Sequence, residues 1–218
     1  YKRQTQGNEL FMFDSKGIFV NGFKYKKQDQ IITSPKHFRI QNKDLIVFKT
    51  KSKFNIINRR GDIRIKLKSD IKFSNDNIYS YENNLVSTSN NNDIVKIDLK
   101  GNIGKIKEDN SNKIFIVSND NFISYLTNNS IKTQKNKIDL EFGKYTNLGI
   151  HENKKNIFIS LYNEQSKELY LFDEKLFPVS NFPKKISGNA VTKLSENNFY
   201  YSFLEDNNSV SLNSVSIQ

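Results

Sequence analysis

Cysteine is absent from the 218 residues, which removes thiol nucleophiles, disulfides and cysteine-held metals together and leaves the redox compartment open. Tryptophan is absent too, and the chain holds one methionine and two histidines. The three prolines, Pro35, Pro178 and Pro183, stand near turns or strand margins, where a missing N–H is tolerated. Helical periodicity is nowhere sustained. No apolar run approaches the roughly 18 residues that a membrane-spanning helix needs. Neither a G-x-S-x-G elbow nor an H-E-x-x-H spacing occurs, so the local signatures of serine hydrolases and zinc peptidases are missing. The opening Tyr1-Lys2-Arg3-Gln4-Thr5 has no initiator methionine and no apolar signal core, and reads as the start of a mature or trimmed piece of a larger protein.

What is there is charge, asparagine and short apolar runs. A hydrophobic share of 36% with 12% aromatics is enough for a folded body rather than a disordered chain. Lys+Arg number 34 against 23 Asp+Glu, a net charge of +11, a field that favours anionic partners. The excess is mostly scattered lysine in a chain rich in Asn and Ile, so nucleic acid is not the expected partner, because its recognition needs clustered charge.

The apolar runs are organised by a repeated hairpin. Ile94–Ile106, IVKIDLKGNIGKI, reads as two strands around the turn Asp98-Leu99-Lys100-Gly101, and glycine there supplies the positive φ. Copies stand at Leu10–Phe23 with Gly17, at Phe54–Leu67 with Gly61, and, without the glycine, at Leu169–Phe182 around Glu174-Lys175. Gly17 to Gly61 is 44 positions and Gly61 to Gly101 is 40. A period of about 40 residues carrying four strands is the mark of a β-propeller. The runs FMF, IIN, IFIV and LYLF fit central strands covered on both faces. The expected fold is therefore all-β: one β-propeller domain of about six four-stranded repeat units near 1–30, 31–68, 69–108, 109–143, 144–188 and 189–218. The first lacks its opening strand and the last its closing one, which leaves a closed ring or an arc of a longer propeller. Strands are expected over Ile18–Tyr25, Ile63–Lys68 and Ile71–Tyr81, among others, with a turn at Gly7-Asn8.

At LFMFDSKGIFVNGFKYK and LYLFDEKLFPVSNFPKK the chain resembles the repeat of the bacterial propeller superfamily that includes quinoprotein-like, WD-repeat-like and FG-GAP-type domains. It is especially similar to the C-terminal propeller of uncharacterised cell-envelope proteins from Bacteroidetes. The resemblance implies an extracytoplasmic module, in the periplasm or at the cell surface, for protein or glycan binding. FG-GAP calcium loops carry alternating Asp with Gly. The nearest approaches here, Ser74-Asn75-Asp76-Asn77 and Glu205-Asp206-Asn207-Asn208, offer too few carboxylates. Quinone dehydrogenases stack their cofactor on a tryptophan beside a vicinal disulfide, and this chain has neither residue type. No cofactor, metal ligand or catalytic residue is assigned.

Arg59 and Arg60 sit in a hairpin turn flanked by Lys51, Lys53, Arg64, Lys66 and Lys68, the densest basic cluster of the chain. Strand alternation over 63–68 places Arg64, Lys66 and Lys68 on one face. Two readings compete: an anion site at Arg59, Arg60, Arg64 and Lys66, or an outer strand guarded by charge against edge pairing. His37 and His151 read as ordinary strand histidines rather than a metal or catalytic pair. Tyr79, Tyr81, Tyr162, Tyr170, Tyr200 and Tyr201 line a glycan groove or serve packing between sheets. A noncatalytic scaffold for protein or glycan contact is the first reading. Its rivals are a hydrolase or lyase with an axial site and a polyanion binder centred on Arg59-Arg60.

Overall fold

The computed structural model describes residues 2–6, 9–25, 29–106, 114–153, 156–206 and 208–217; the expected Gly7-Asn8 turn and Asn207 lie outside them. The chain forms two compact units, 1–110 and 111–218.

The first unit begins with a pair, β1 (Lys2–Gln6) and β2 (Glu9–Phe13). A four-stranded antiparallel sheet follows: β3 (Lys36–Ile40), β4 (Lys43–Lys49), β5 (Phe54–Ile57) and β6 (Ile63–Ile65). The next has the same plan, with β7 (Tyr79–Tyr81), β8 (Asn84–Thr88), β9 (Ile94–Ile97) and β10 (Ile103–Ile106). Every connection within these sheets joins sequence neighbours, so turn chemistry sets the register. Gln41-Asn42 and Glu82-Asn83 all have φ between 47° and 62°, the two-residue turn whose twist matches that of the flanking strands.

Strand β4 shows why its sequence, DLIVFK, barely alternates. Leu45 and Val47 pack with Phe54, Ile56, Ile78, Leu85, Val95 and Ile97 toward the third sheet. Ile46 and Phe48 pack with Leu10, Met12 and Ile57 toward the first. Successive side chains thus serve opposite cores, and each fully covered aliphatic contributes about 1.5–3 kcal/mol.

The second unit repeats the scheme. β11 (Ile114–Ser118), β12 (Ile123–Thr127), β13 (Ser130–Thr133) and β14 (Lys137–Asp139) form one sheet. β15 (Tyr145–Glu152), β16 (Ile157–Asn163), β17 (Glu168–Asp173) and β18 (Lys184–Lys185) form the next. β19 (Val191–Ser195), β20 (Asn198–Leu204) and β21 (Val210–Ser216) end the chain as a three-stranded sheet. Along β16, Ile159 joins Phe122 and Ile131 on one side, while Phe158 and Tyr162 join Phe199, Tyr201 and Ile217 on the other. IFIV is the first strand of its sheet and is only partly covered.

Three expected strands are shorter or missing. Ile18–Tyr25 makes only a bridge, Phe13 to Phe19, because a second turn at Asn21-Gly22, with Gly22 at φ 84°, breaks it. Ile71–Tyr81 is a strand only over Tyr79–Tyr81, because 74–77 is held as a loop. Ile63–Lys68 ends at Ile65.

Candidate functional site

The recurring turn is one local device. Asp14, Asn58, Asp98 and Asp173 each accept on Oδ1 from the N–H groups two and four positions on, at 2.7 to 3.1 Å. The N–H three positions on closes the turn on the backbone carbonyl. That third position has φ of 82°, 94° and 80° at Gly17, Gly61 and Gly101 and of 69° at Leu176. The first and last turn positions are thereby fixed; the two between are exposed in the turns at Gly17, Gly61 and Leu176, whereas in the turn at Gly101 Leu99 packs against the core and only Lys100 is exposed.

Around Gly61 this device builds a basic pocket. Arg59 and Arg60 occupy the outward positions and are exposed, as is Arg64 on β6. With Asn42, Asp44 and Asn58 they line a shallow pocket of about 290 Å³. Asp44, at the start of β4, braces it: its Oδ2 accepts from Arg59 Nη2 at 2.7 Å and its Oδ1 meets His37 Nε2 at 2.9 Å. Burial works against ionisation of Asp44, yet the His37 hydrogen bond and the charges of Arg59, His37 and Arg39 hold its carboxyl below the ordinary value. One carboxylate thus orients a guanidinium without cancelling the site, since Arg60 and Arg64 stay on the rim. Such planar forks suit two-point contact with a carboxylate, sulfate or phosphate.

Lys66, grouped with these residues by sequence, does not line the pocket. Strand β6 has ended before it, and its carbonyl lies against Gly101. Lys68 N–H donates to the Gly101 carbonyl at 3.0 Å and its Nζ to Asn102 Oδ1 at 2.9 Å. In the preceding copy the bond falls one residue earlier in the turn, with Lys24 N–H donating to the Arg60 carbonyl at 2.9 Å. A Cβ on Gly61 or Gly101 would overlap the Lys24 or Lys66 carbonyl. Each of these two turns is therefore clamped by the segment five to seven positions past the preceding turn glycine. Asp44 and Asn42 were invisible as site residues in the sequence because they come from the neighbouring hairpin.

The other candidates resolve into structure. Lys49 is buried, and its Nζ donates to the carbonyls of Ser74 and Asp76 at 2.8 and 2.7 Å. The Ser74–Asn77 run, the nearest thing to a calcium loop, thus encloses an ammonium. Burial, against the charge of Asp76 and with that of Lys36, lowers the Lys49 pKa to about 8. His151 Nε2 meets Ser160 Oγ at 2.8 Å and Thr192 Oγ1 at 3.3 Å, and burial lowers its pKa to about 4. Its ring stands edge-on to Phe199. Among the described residues no group of three or more His, Asp or Glu could hold a metal.

The tyrosines do not form a common groove. Tyr162 and Tyr201 are buried in the core. Tyr170 donates to Glu168 Oε2 at 2.9 Å, and its pKa is pushed up to about 12 by burial and by that carboxylate. Tyr79 and Tyr81 carry the ammonium groups of Lys36 and Lys96 over their rings. Tyr200 lies on β20, partly covered.

No family model and no curated protein matches the sequence. Solved structures do match in shape. Virginiamycin B lyase from Staphylococcus aureus aligns with a TM-score of 0.59 at 14% identity, over 97% of this chain and 79% of its own. BamB from Moraxella catarrhalis aligns with 0.55 at 13%, over 92% and 71%. The computationally designed Ika4 protein aligns with 0.50 at 12%, over 72% and 99%. The chain has a β-propeller fold. At these identities the likeness establishes architecture alone. No helix among the described residues is long and apolar enough to cross a membrane.

Proposed function

We propose that this propeller is a noncatalytic binding module that makes protein or glycan contacts at the bacterial cell envelope, with the arginine pocket as a contact site for acidic groups. The observation that carries the reading is the carboxylate-braced arrangement of Arg59 beside Arg60 and Arg64 on an exposed, backbone-clamped turn. A surface strand guarded only by charge has no need of a carboxylate brace or of a pocket. The envelope placement is supported by the likeness of the Leu10–Phe23 and Leu169–Phe182 repeats to Bacteroidetes envelope propellers.

The test is the binding of labelled polyglutamate and polygalacturonate at physiological ionic strength, read by fluorescence anisotropy. Saturable binding to at least one polymer is expected, with its loss in an Arg59→Ser/Arg60→Ser/Arg64→Ser variant. A variant lacking the exposed Lys167, Lys175 and Lys193 instead should keep most of the affinity. Equal weakening in the two variants would mean that only net charge is at work, and the reading would fail.

A further inference from the structure

We infer that the arginine pocket is half of a composite surface that takes an acidic protein segment anchored by an apolar side chain. The inference rests on the reading of the arginine pocket as a contact site. The second half is a hollow of about 380 Å³ in the first repeat, lined by Phe11, Phe19, Val20, Phe23 and Tyr25 together with Lys24 and one carboxylate, Glu9. Phe19 is 62% exposed, although it leans on Phe13 at a ring separation of 4.5 Å and meets Phe11 at 5.9 Å. A large aromatic left open on a braced cluster is the form of an anchor site.

The two hollows are neighbours by construction. Lys24, which lines the aromatic one, donates its N–H to the carbonyl of Arg60, which lines the basic one. Gly61 lets the Lys24–Tyr25 backbone lie directly on the turn. A ridge of clamped backbone thus separates an aromatic hollow from a basic one, with the exposed Lys24 and Arg60 along it.

The occupant follows from this pairing. Two discrete hollows on either side of a backbone ridge suit successive side chains of a peptide. Lys24, Arg60 and Arg64 call for carboxylates, and Phe11, Phe19 and Phe23 call for an aromatic or large aliphatic side chain. A glycan would place hydroxyls against the apolar walls without hydrogen-bond partners, at a penalty of about 1–3 kcal/mol for each buried group. A membrane surface would meet a flat patch better than two hollows.

The experiment compares a short synthetic peptide of alternating glutamate and phenylalanine with polyglutamate of equal length, polygalacturonate and phosphatidylglycerol vesicles. Each is titrated against the unmodified chain, Phe19→Ser, Lys24→Glu and Arg60→Ser/Arg64→Ser, all sites being exposed and folding being checked by circular dichroism. The mixed peptide should bind more tightly than polyglutamate. Phe19→Ser should weaken the mixed peptide about tenfold and leave polyglutamate unchanged, while the other two variants should weaken both. Equal affinity of the two peptides, or indifference of the mixed peptide to Phe19→Ser, overturns the composite surface and leaves the arginine pocket standing. Polygalacturonate or vesicles binding more tightly than the mixed peptide, and losing affinity with Phe19→Ser, overturn the peptide occupant. Failure of every anion to bind overturns the arginine-pocket reading itself.

Discussion

Replacing Gly17, Gly61 and Gly101 by alanine one at a time should separate two causes of glycine use that the sequence makes look alike. All three have φ near +80° to +94°, which an L side chain adopts at about 1–2 kcal/mol. Around Gly17 nothing stands within 4 Å of an added Cβ, whereas at Gly61 and Gly101 the Cβ would fall on the carbonyls of Lys24 and Lys66. There the clamp must move, losing a backbone hydrogen bond of about 1 kcal/mol and incurring overpacking of about 1 kcal/mol or more. We therefore expect about 1 kcal/mol for Gly17→Ala and about 3 kcal/mol or more for Gly61→Ala and Gly101→Ala. Urea unfolding followed by tyrosine fluorescence gives the values, since no tryptophan is present. Asparagine sharpens the comparison, because it tolerates the left-handed conformation yet carries a Cβ. It should rescue position 17 and not positions 61 or 101. Equal losses for the three alanine variants, or rescue by asparagine at 61, would refute the clamp.

Three further outcomes follow from the buried groups. Leu176 holds the glycine position at φ 69° with its side chain 2% exposed, so Leu176→Gly should relieve about 1 kcal/mol of strain and lose about 2–4 kcal/mol of packing, a net loss in urea unfolding. Lys49 drops from 10.5 to about 8, and at about 1.4 kcal/mol per unit its charged form carries a penalty of about 3 kcal/mol. Because the unfolded chain keeps this proton to higher pH, the penalty is complete below pH 8 and relieved as pH rises from about 8 to 10.5. A side-chain NMR titration should show a midpoint near 8, and one near 10.5 would refute the burial argument. For His151, lowered from 6.5 to about 4, stability is complete above the higher value and lost as pH falls through the lower, by at most about 3 kcal/mol. His151→Gln should flatten that part of the acid unfolding curve.

What could be read from the sequence was local. An Asp or Asn three positions before Gly satisfies its own turn, so the hairpins at Gly17, Gly61 and Gly101 announce themselves, and their spacing gives the blade. Leu176 escapes this logic, because only its packing against Phe122, Ile131, Ile159 and Phe172 explains a leucine in that conformation. Alternation over Ile71–Tyr81 resembles a strand, but the Lys49 ammonium holds 74–77 as a loop, and nothing near residue 74 points to residue 49. The same holds for the pocket. Arg59, Arg60 and Arg64 are adjacent in sequence and were visible as a cluster; Asp44 reaches them only through the pairing of β4 with β5. Lys66 was misplaced because strand alternation was carried past Ile65, where the backbone turns to clamp the next repeat.

The recurring turn also works as a constant socket with interchangeable inserts. Its first and last residues are committed to the backbone, and the two middle positions carry Ser15-Lys16, Arg59-Arg60, Leu99-Lys100 and Glu174-Lys175 in successive copies. Where both middle side chains are exposed, chemistry at the tip can therefore be rewritten without disturbing the sheet beneath it; Leu99, packed against the core, is the exception. A designer could place a new recognition pair at 15-16 or 174-175, where both side chains are exposed, and leave the rest of the chain unaltered.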